Sequence, residues 1–201
     1  MILVGYSGHA FVAYELLRSA GIAVEAYCDT IEKELNPFGL AYLGPESSEK
    51  VFAALKEKGF FISVGDNTIR RKIFEELASK GILPINAIHK SSIISPDAGL
   101  HANGVMISAG VIINPLAKIG KGAILNTGAI IEHECNVGAF AHIGPGATLC
   151  GNVTVGENSF IGAGSVVRQG ITIGKNVMVG AGSVVVKDVA DASTVMGCPA
   201  N

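Results

Sequence analysis

The chain has 201 residues with 26 glycines, no tryptophan and 49% hydrophobic content, which leaves room for one or two domains whose cores are built of small and aliphatic side chains. A net charge of −2 and a pI near 6.2 exclude the broad basic surface of a nonspecific nucleic-acid binder. Cys28, Cys135, Cys150 and Cys198 form no CxxC pair, which excludes a zinc ribbon and suits reduced thiols in the cytoplasm.

The first residues, MILVGYSGHA, lack the basic and long apolar regions of a signal peptide, and no apolar run reaches the roughly 18 residues of a membrane span. Met1–Val4 reads as a short strand that ends in the turn Gly5-Tyr6-Ser7-Gly8-His9. A helix follows with Phe11, Val12, Leu16 and Leu17 on one side, then a strand over Val24–Cys28 closed by Asp29. Residues 30–45 read as a loop broken by Asn36-Pro37 and Gly44-Pro45. Ser47–Lys58 has helical spacing, and Phe60–Val64 reads as a strand ending at Gly65. Asp66 is placed to cap a helix carrying Ile69, Ile73, Phe74 and Leu77, which Gly81 ends before a last strand over Leu83–Ile88. Strands alternating with helices predict a small parallel α/β sheet over residues 1–87.

Ligands of such sheets sit beyond the carboxyl ends of the strands, here Ser7-Gly8-His9, Cys28-Asp29 and Gly65-Asp66-Asn67. The first opens a helix, where free N–H groups favour a phosphate, and Asp29 falls where an acidic residue often bonds a ribose hydroxyl. The turn is G-x-x-G rather than G-x-G-x-x-G, and the segment is too short for a second mononucleotide half, so a full dinucleotide is not expected.

From Ile107 to Val185 every sixth residue is aliphatic without a miss. Four residues after each aliphatic the side chain is usually small, as at Ala117, Ala129, Cys135 and Ser165. Three residues after it comes Gly, Asn or Asp in most cases, from Gly110 to Asp188, the types that best tolerate positive φ. This pattern predicts a parallel β-solenoid over residues 88–201, with three hexads closing a triangular coil and Ile107 lying over Leu125.

Departures from the rule mark candidate function. Glu134 takes a corner normally given to Gly or Asn, and His133 beside it lies on the outer surface between Glu132 and Glu134. A neighbouring carboxylate orients an imidazole as a general base requires. His142 also points out of the prism, on the face opposite the His133 corner. The packed core therefore separates the two histidines within one chain, and they cooperate only across a subunit interface. Phe140, at another corner, reads as an interface residue, a substrate contact or an isolated exposed aromatic, and Leu116 at a third as structural.

Together, the hexads, Ser7-Gly8-His9, Asp29, Gly65-Asp66-Asn67-Thr68-Ile69-Arg70, Ile88-His89-Lys90, Asn126-Thr127, Ile131-Glu132-His133-Glu134-Cys135 and Gly197-Cys198-Pro199-Ala200 resemble one branch of the left-handed β-helix acyltransferases. That branch holds bacterial UDP-4-amino-sugar N-acetyltransferases, GDP-perosamine N-acetyltransferases and sialic acid O-acetyltransferases. The resemblance implies a Rossmann-like N-terminal domain binding a nucleotide sugar, a left-handed β-helix, acetyl-CoA as co-substrate and a homotrimer; no metal is expected. It implies His133 as catalytic base with Glu134 as partner and His142 near the acetyl group. It also implies Ser7, Gly8, His9, Asp29, Gly65 and Asn67 as substrate contacts, and Gly151, Ala163 and Ala181 with His142 along the CoA groove. Cys28 replaces the first of two acidic residues frequent after the second strand, and the basic residues that often follow Pro-Ala are not in this chain.

In the transfer so implied, a donor must face the thioester oxygen, and His142 or Asn126 suits that role. Cys135 sits in an inward slot and reads as structural rather than nucleophilic. The expected activity is direct acetyl transfer to a UDP-linked 4-amino sugar. The alternatives are sialic acid O-acetylation, a noncatalytic nucleotide-binding scaffold, and a zinc hydratase, which needs three converging histidines.

Overall fold

A computed structural model describes residues 1–201. Four parallel strands, β1 (Ile2–Val4), β2 (Ala26–Cys28), β3 (Ala41–Tyr42) and β4 (Phe60–Ile62), form the N-terminal sheet in the order β3-β2-β1-β4. Alternate residues serve opposite sides, as a strand's period of two requires. Leu3, Tyr27 and Phe61 pack under α1 (Gly8–Ser19). Ile2, Val4, Cys28, Phe60 and Ile62 pack under α2 (Glu49–Lys58) and α3 (Asn67–Ser79). Ser48 and Asp66 cap α2 and α3 by accepting the N–H of Val51 and Ile69.

Two expectations change here. The loop over residues 30–45 holds β3, whose Tyr42 hydroxyl donates to the Asp29 carbonyl. The strand expected at Leu83–Ile88 is only Ala87–Ile88, and it joins the solenoid, pairing with Met106–Ile107.

The solenoid has three parallel sheets. Ile107 pairs with Leu125, Leu125 with Ile143 and Ile143 with Ile161, so each coil takes eighteen residues. All the sixfold aliphatics are buried, with Ala117, Ala123, Ala129, Cys135, Ala141 and Ala147 between them. The corners have positive φ at Gly110, Leu116, Gly122, Gly128, Glu134, Phe140 and on to Gly182. Asp188 is not among them; beyond Val185 the frame breaks and Ala192 takes the turn. The solenoid also extends past the regular repeat at both ends. Ile88 lies nineteen residues from its partner Ile107, and Val179 sixteen from Val195. One extra residue before Ile107 and two fewer after Val185 hide these coils from a strict hexad frame.

The outward residues give each face its character. The face carrying Ala87, Met106, Ile124, His142 and Phe160 lies under the N-terminal domain, with α1 between the two. The next is mostly aliphatic, with Ile93, Ile112, Ile130, Val166 and Val184 outward and Thr148 among them. The third is polar, with Lys118, Asn136, Thr154 and Thr172 outward.

Because Ile143 lies at the middle of a tightly filled stack, Ile143→Ala is expected to cost about 2–5 kcal/mol in denaturant unfolding, whereas Thr172→Ala on the polar face stays within about 0.5 kcal/mol. Equal effects from the two would contradict this assignment of inward and outward positions.

Candidate active site

The Asp66 cap fixes the turn at the end of β4, and one helical turn later Arg70 is only 1% exposed. Its Nε donates to the Gly122 carbonyl at 2.8 Å. Nη1 donates to the carbonyls of Gly65 at 3.0 Å and Val64 at 3.2 Å, and Nη2 to the Phe140 carbonyl and to Asn67 Oδ1, both at 2.8 Å. The Asn67 amide donates in turn to the carbonyls of Asn158 and Ser159. Gly122, Phe140 and Asn158 are successive corners of one solenoid edge, so the start of α3 grips three coils. Phe140 is therefore not an exposed aromatic or a free contact: it is buried against Phe74 in the N-terminal core, with rings 5.3 Å apart.

His142 points out of the prism as expected, but into this interface rather than solvent, and is 6% exposed. Its Nε2 lies 3.1 Å from Asn126 Nδ2 and its Nδ1 3.4 Å from the Gly65 carbonyl. Asn126 Oδ1 accepts the Thr127 N–H, so the amide group donates to His142 Nε2 and the imidazole proton sits on Nδ1. The Phe160 and His9 rings lie 4.8 and 6.0 Å from His142. Burial, then the Arg70 charge, push His142 down to about 3 and His9 down to about 4. Nε2 of His9 is buried without a partner. A cleft of about 530 Å³ opens here, between Gly65, Asn67, His142, Asn158 and Phe160.

At the carboxyl ends of the sheet, the sequence moves from β1 outward to β3 and then back across to β4, so the switch point lies between β1 and β4. A crevice of about 250 Å³ sits there, lined by Gly5, Asp29, Thr30, Glu46, Val64 and Ile69. Ser7 and Gly8 border a second, of about 270 Å³, with Phe11 and Lys33. Ser7 makes no side-chain cap, leaving the first turn of α1 open. Asp29 accepts the Tyr6 N–H at 2.8 Å, the Thr30 N–H at 2.7 Å and Lys33 Nζ at 3.0 Å. Burial raises its pKa, but these donors outweigh that and hold the carboxyl below the usual range. Much of Asp29 is thus engaged in shaping the turn.

His133 and Glu134 stand on a different edge, between the aliphatic and polar faces. His133 Nδ1 is 3.1 Å from Glu134 Oε2, and both side chains are about half exposed. Glu134 holds its corner at φ 61°, its N–H bonded to the Pro115 carbonyl one coil back. The imidazole lies directly over Gly151, where an added Cβ would collide with the Nε2 side of the ring. Glu134 also borders a groove of about 550 Å³ that runs over the polar face.

Within one chain the expected site residues thus fall into separate groups. His9, Gly65, Asn67, Asn126 and His142 meet at the domain interface, with Ser7, Gly8 and Asp29 along the adjoining turn. His133, Glu134 and Gly151 share one edge. Ala163 and Ala181 are exposed and lie on the other edge of the aliphatic face, where the Gly182 N–H bonds the Ala163 carbonyl. The chain does not bring the three histidines of a zinc hydratase together, and no cluster of three metal-ligating side chains is present. Two residues of the site, Arg70 and Phe160, are not among those expected from the sequence. The signal for Arg70 is its place in the buried stripe with Phe74 and Leu77; Ile69, expected on that stripe, is exposed. The signal for Phe160 is its place eighteen residues beyond His142.

Residues 1–77 match the family described as the PglD N-terminal domain, and residues 134–169 and 152–187 match hexapeptide-repeat transferase families. Among solved structures, a histidine-to-asparagine mutant of perosamine N-acetyltransferase from Caulobacter crescentus, in complex with CoA and GDP-perosamine, is 39% identical, with a TM-score of 0.92 over 100% of this chain and 94% of that one. The acetyltransferase domain of PglB from Neisseria gonorrhoeae, in complex with acetyl coenzyme A, is 33% identical, with a TM-score of 0.89 over 100% and 97%. WeeI from Acinetobacter baumannii, at 22% identity and a TM-score of 0.83 over 100% and 97%, shares the fold. The chain belongs to the left-handed β-helix, hexapeptide-repeat sugar acetyltransferases that carry a PglD-type N-terminal domain.

The two interface imidazoles make stability depend on pH. Their folded pKa values of about 4 and 3 lie below the ordinary histidine value of 6.5. Below 6.5 the unfolded chain binds protons that the folded chain refuses, so the stability they confer is full above that pH and is lost as pH falls toward 4. Denaturant midpoints are expected to decline through that window, and less steeply in His142→Gln; a flat profile would contradict neutral, buried imidazoles.

Proposed function

We propose that the protein transfers the acetyl group of acetyl-CoA to the amino group of a nucleotide-linked 4-amino sugar, with His133 as general base. The observation that carries this reading is the His133–Glu134 pair: Glu134 engages Nδ1 and leaves Nε2 free on an exposed edge, over a glycine that admits the ring. The amine nitrogen attacks the thioester carbonyl, the C–N bond forms and the C–S bond breaks. Nε2 takes the amine proton and returns it to the leaving thiolate, while Glu134 stabilises the imidazolium. Both ring nitrogens of His142 face protein groups, so Asn126, with one amide hydrogen to spare, is the better donor to the oxyanion, and His142 orients it. The ligands named for the Caulobacter and Neisseria relatives support these donor and acceptor classes.

We assign nucleotide-sugar binding to residues 1–87 and transfer to residues 88–201. The phosphates lie at the open start of α1, by Ser7, Gly8 and His9, and the nucleoside extends toward Asp29. Gly65, Asn67 and His9 line the path to the sugar. The nucleotide is taken to be UDP, with GDP the form an assay must separate from it.

A homotrimer follows from the split of the site. His133 and Gly151 flank one side of the aliphatic face, and Ala163 and Ala181 the other. Packing that face against a neighbour buries the exposed Ile93 and Val166 with the half-buried Ile112, Ile130 and Val184, and brings the His133 edge of one subunit to the Ala163 edge of the next. The CoA groove, with Gly151 on one wall and Ala163, Ala181 and His142 on the other, then forms between chains. No helix is long and apolar enough to cross a membrane, and all four cysteines are free. We place the enzyme in the cytoplasm, where CoA thioesters and nucleotide sugars are made.

The test is thiol release from acetyl-CoA with UDP-4-amino sugars, GDP-perosamine and sialic acids as acceptors. His133→Ala is expected to lower kcat by about 10²–10⁴-fold without altering the melting temperature, as loss of a general base does. Gly151→Ala keeps the fold but displaces the imidazole, so kcat falls as well. Turnover confined to sialic acid, or full activity in His133→Ala, would overturn the assignment. For the assembly, Val166→Glu is expected to yield monomers by light scattering and to abolish turnover; an intact trimer would place the interface elsewhere.

A further inference from the structure

We infer that Arg70 is the positioning residue of the acceptor cleft: it seats the Gly65–Asn67 turn on the solenoid and sets a buried positive charge, in contact with no carboxylate, against the imidazoles of His9 and His142. The inference rests on the acetyl-transfer reading only in calling this cleft the acceptor site.

The hydrogen bonding is complete. All five N–H groups of the guanidinium are engaged, by four backbone carbonyls and the Asn67 amide oxygen, and none by a carboxylate. Docking two domains does not require this. A buried charge carries a large desolvation cost, and well-packed apolar side chains hold interfaces at least as well. Burial pulls the Arg70 pKa down to about 9, which leaves the group charged throughout the neutral range. The charge must therefore serve something beyond adhesion.

Its two bonds to the Gly65 turn fix the carbonyl that faces His142 Nδ1, and its bond to Asn67 aims the Asn67 amide at the next corners. Arg70 thereby determines which face of His142 meets a hydrogen-bond acceptor, and so which tautomer holds Asn126. The charged and titratable groups around the imidazole pair are few. From α3 come Arg70 and Asp66; Asp66 caps the helix and acts on Arg70. From α1 comes His9, and from the solenoid His142 itself, with uncharged Asn126 and Phe160 beside it. Lys121 and Arg71 lie farther out, over the Phe140 ring. Near neutrality the net field on the pair is positive, and it opposes a proton on either ring. An acceptor that is itself an amine then meets a neutral His142 on the cleft wall, with the His9 ring packed behind it and its Nε2 buried without a partner.

The experiment compares wild type, Arg70→Lys and Arg70→Gln as full-length chains. The imidazole signals of His9 and His142, assigned through His9→Gln and His142→Gln, are titrated by NMR from pH 4 to 7.5, and the KM for the nucleotide sugar is measured across the same range. Both variants lose the five-pronged fork and are expected to melt lower than wild type. Only Arg70→Gln removes the charge. Burial remains, so in it both imidazoles are expected to titrate higher than in wild type but still below 6.5, and its KM to begin rising at a higher pH than in wild type as pH falls from 7.5 to 4, while Arg70→Lys follows the wild-type pH profile. Superimposable titrations in the Lys and Gln variants would refute the role of the charge, and unchanged melting and KM in both would refute positioning. If neither variant folds, wild-type imidazoles that ionise at their ordinary value still overturn the inference. A wild type that acetylates no nucleotide sugar would sink the acetyl-transfer reading, while the NMR titrations would still decide the role of Arg70.

Discussion

A coil of eighteen residues returns each side chain above the one it left, so a single set of rules applies to every turn of the solenoid. The inward positions must be aliphatic or small, because three strands converge on a narrow axis with no space for more. The corners must turn left-handed, because short strands cannot otherwise close a triangle. Once these demands are met, the three outer faces are free to differ, and in this chain they do. One is covered by the N-terminal domain, one is aliphatic and one is polar. The placement of every candidate site residue follows from which face or edge it occupies.

Against such regular rules, the exceptions are informative. Glu134 and Phe140 both accept left-handed corners that cost a side-chain-bearing residue about 1–2 kcal/mol. They do so for different reasons. Glu134 stands out from the edge beside His133 and holds its imidazole. Phe140 turns toward the N-terminal domain and is swallowed by its core, where packing against Phe74 offsets the strain. Arg70 is the corresponding exception in the α/β domain, a charge in the buried stripe of a helix. Its partners are carbonyls of the solenoid corners and of the turn after β4, so the two domains are joined through backbone groups that any sequence of the same shape would present.

The division of the site between edges bears on its chemistry. The His133 edge is open and its histidine about half exposed, whereas the imidazoles at the domain interface are largely buried beside the cleft and are held neutral. Separating the two on opposite sides of one prism lets each environment be set independently.

Much of this is legible in the residues themselves. The sixfold period, the cap at Asp66, the corner at Glu134 and the opposition of His133 to His142 are consequences of local spacing, which the chain carries wherever it folds. The terminal coils are not legible, because one inserted residue before Ile107 and two missing after Val185 shift a frame that only strand pairing restores. Nor is the fate of Ala87–Ile88, which has the composition of a strand but not the address of its sheet. Burial of Phe140 and His142 and the full engagement of Arg70 depend on which face the N-terminal domain covers. Periodicity states which side chains leave the prism, and only the packing of one domain on another determines what they meet there.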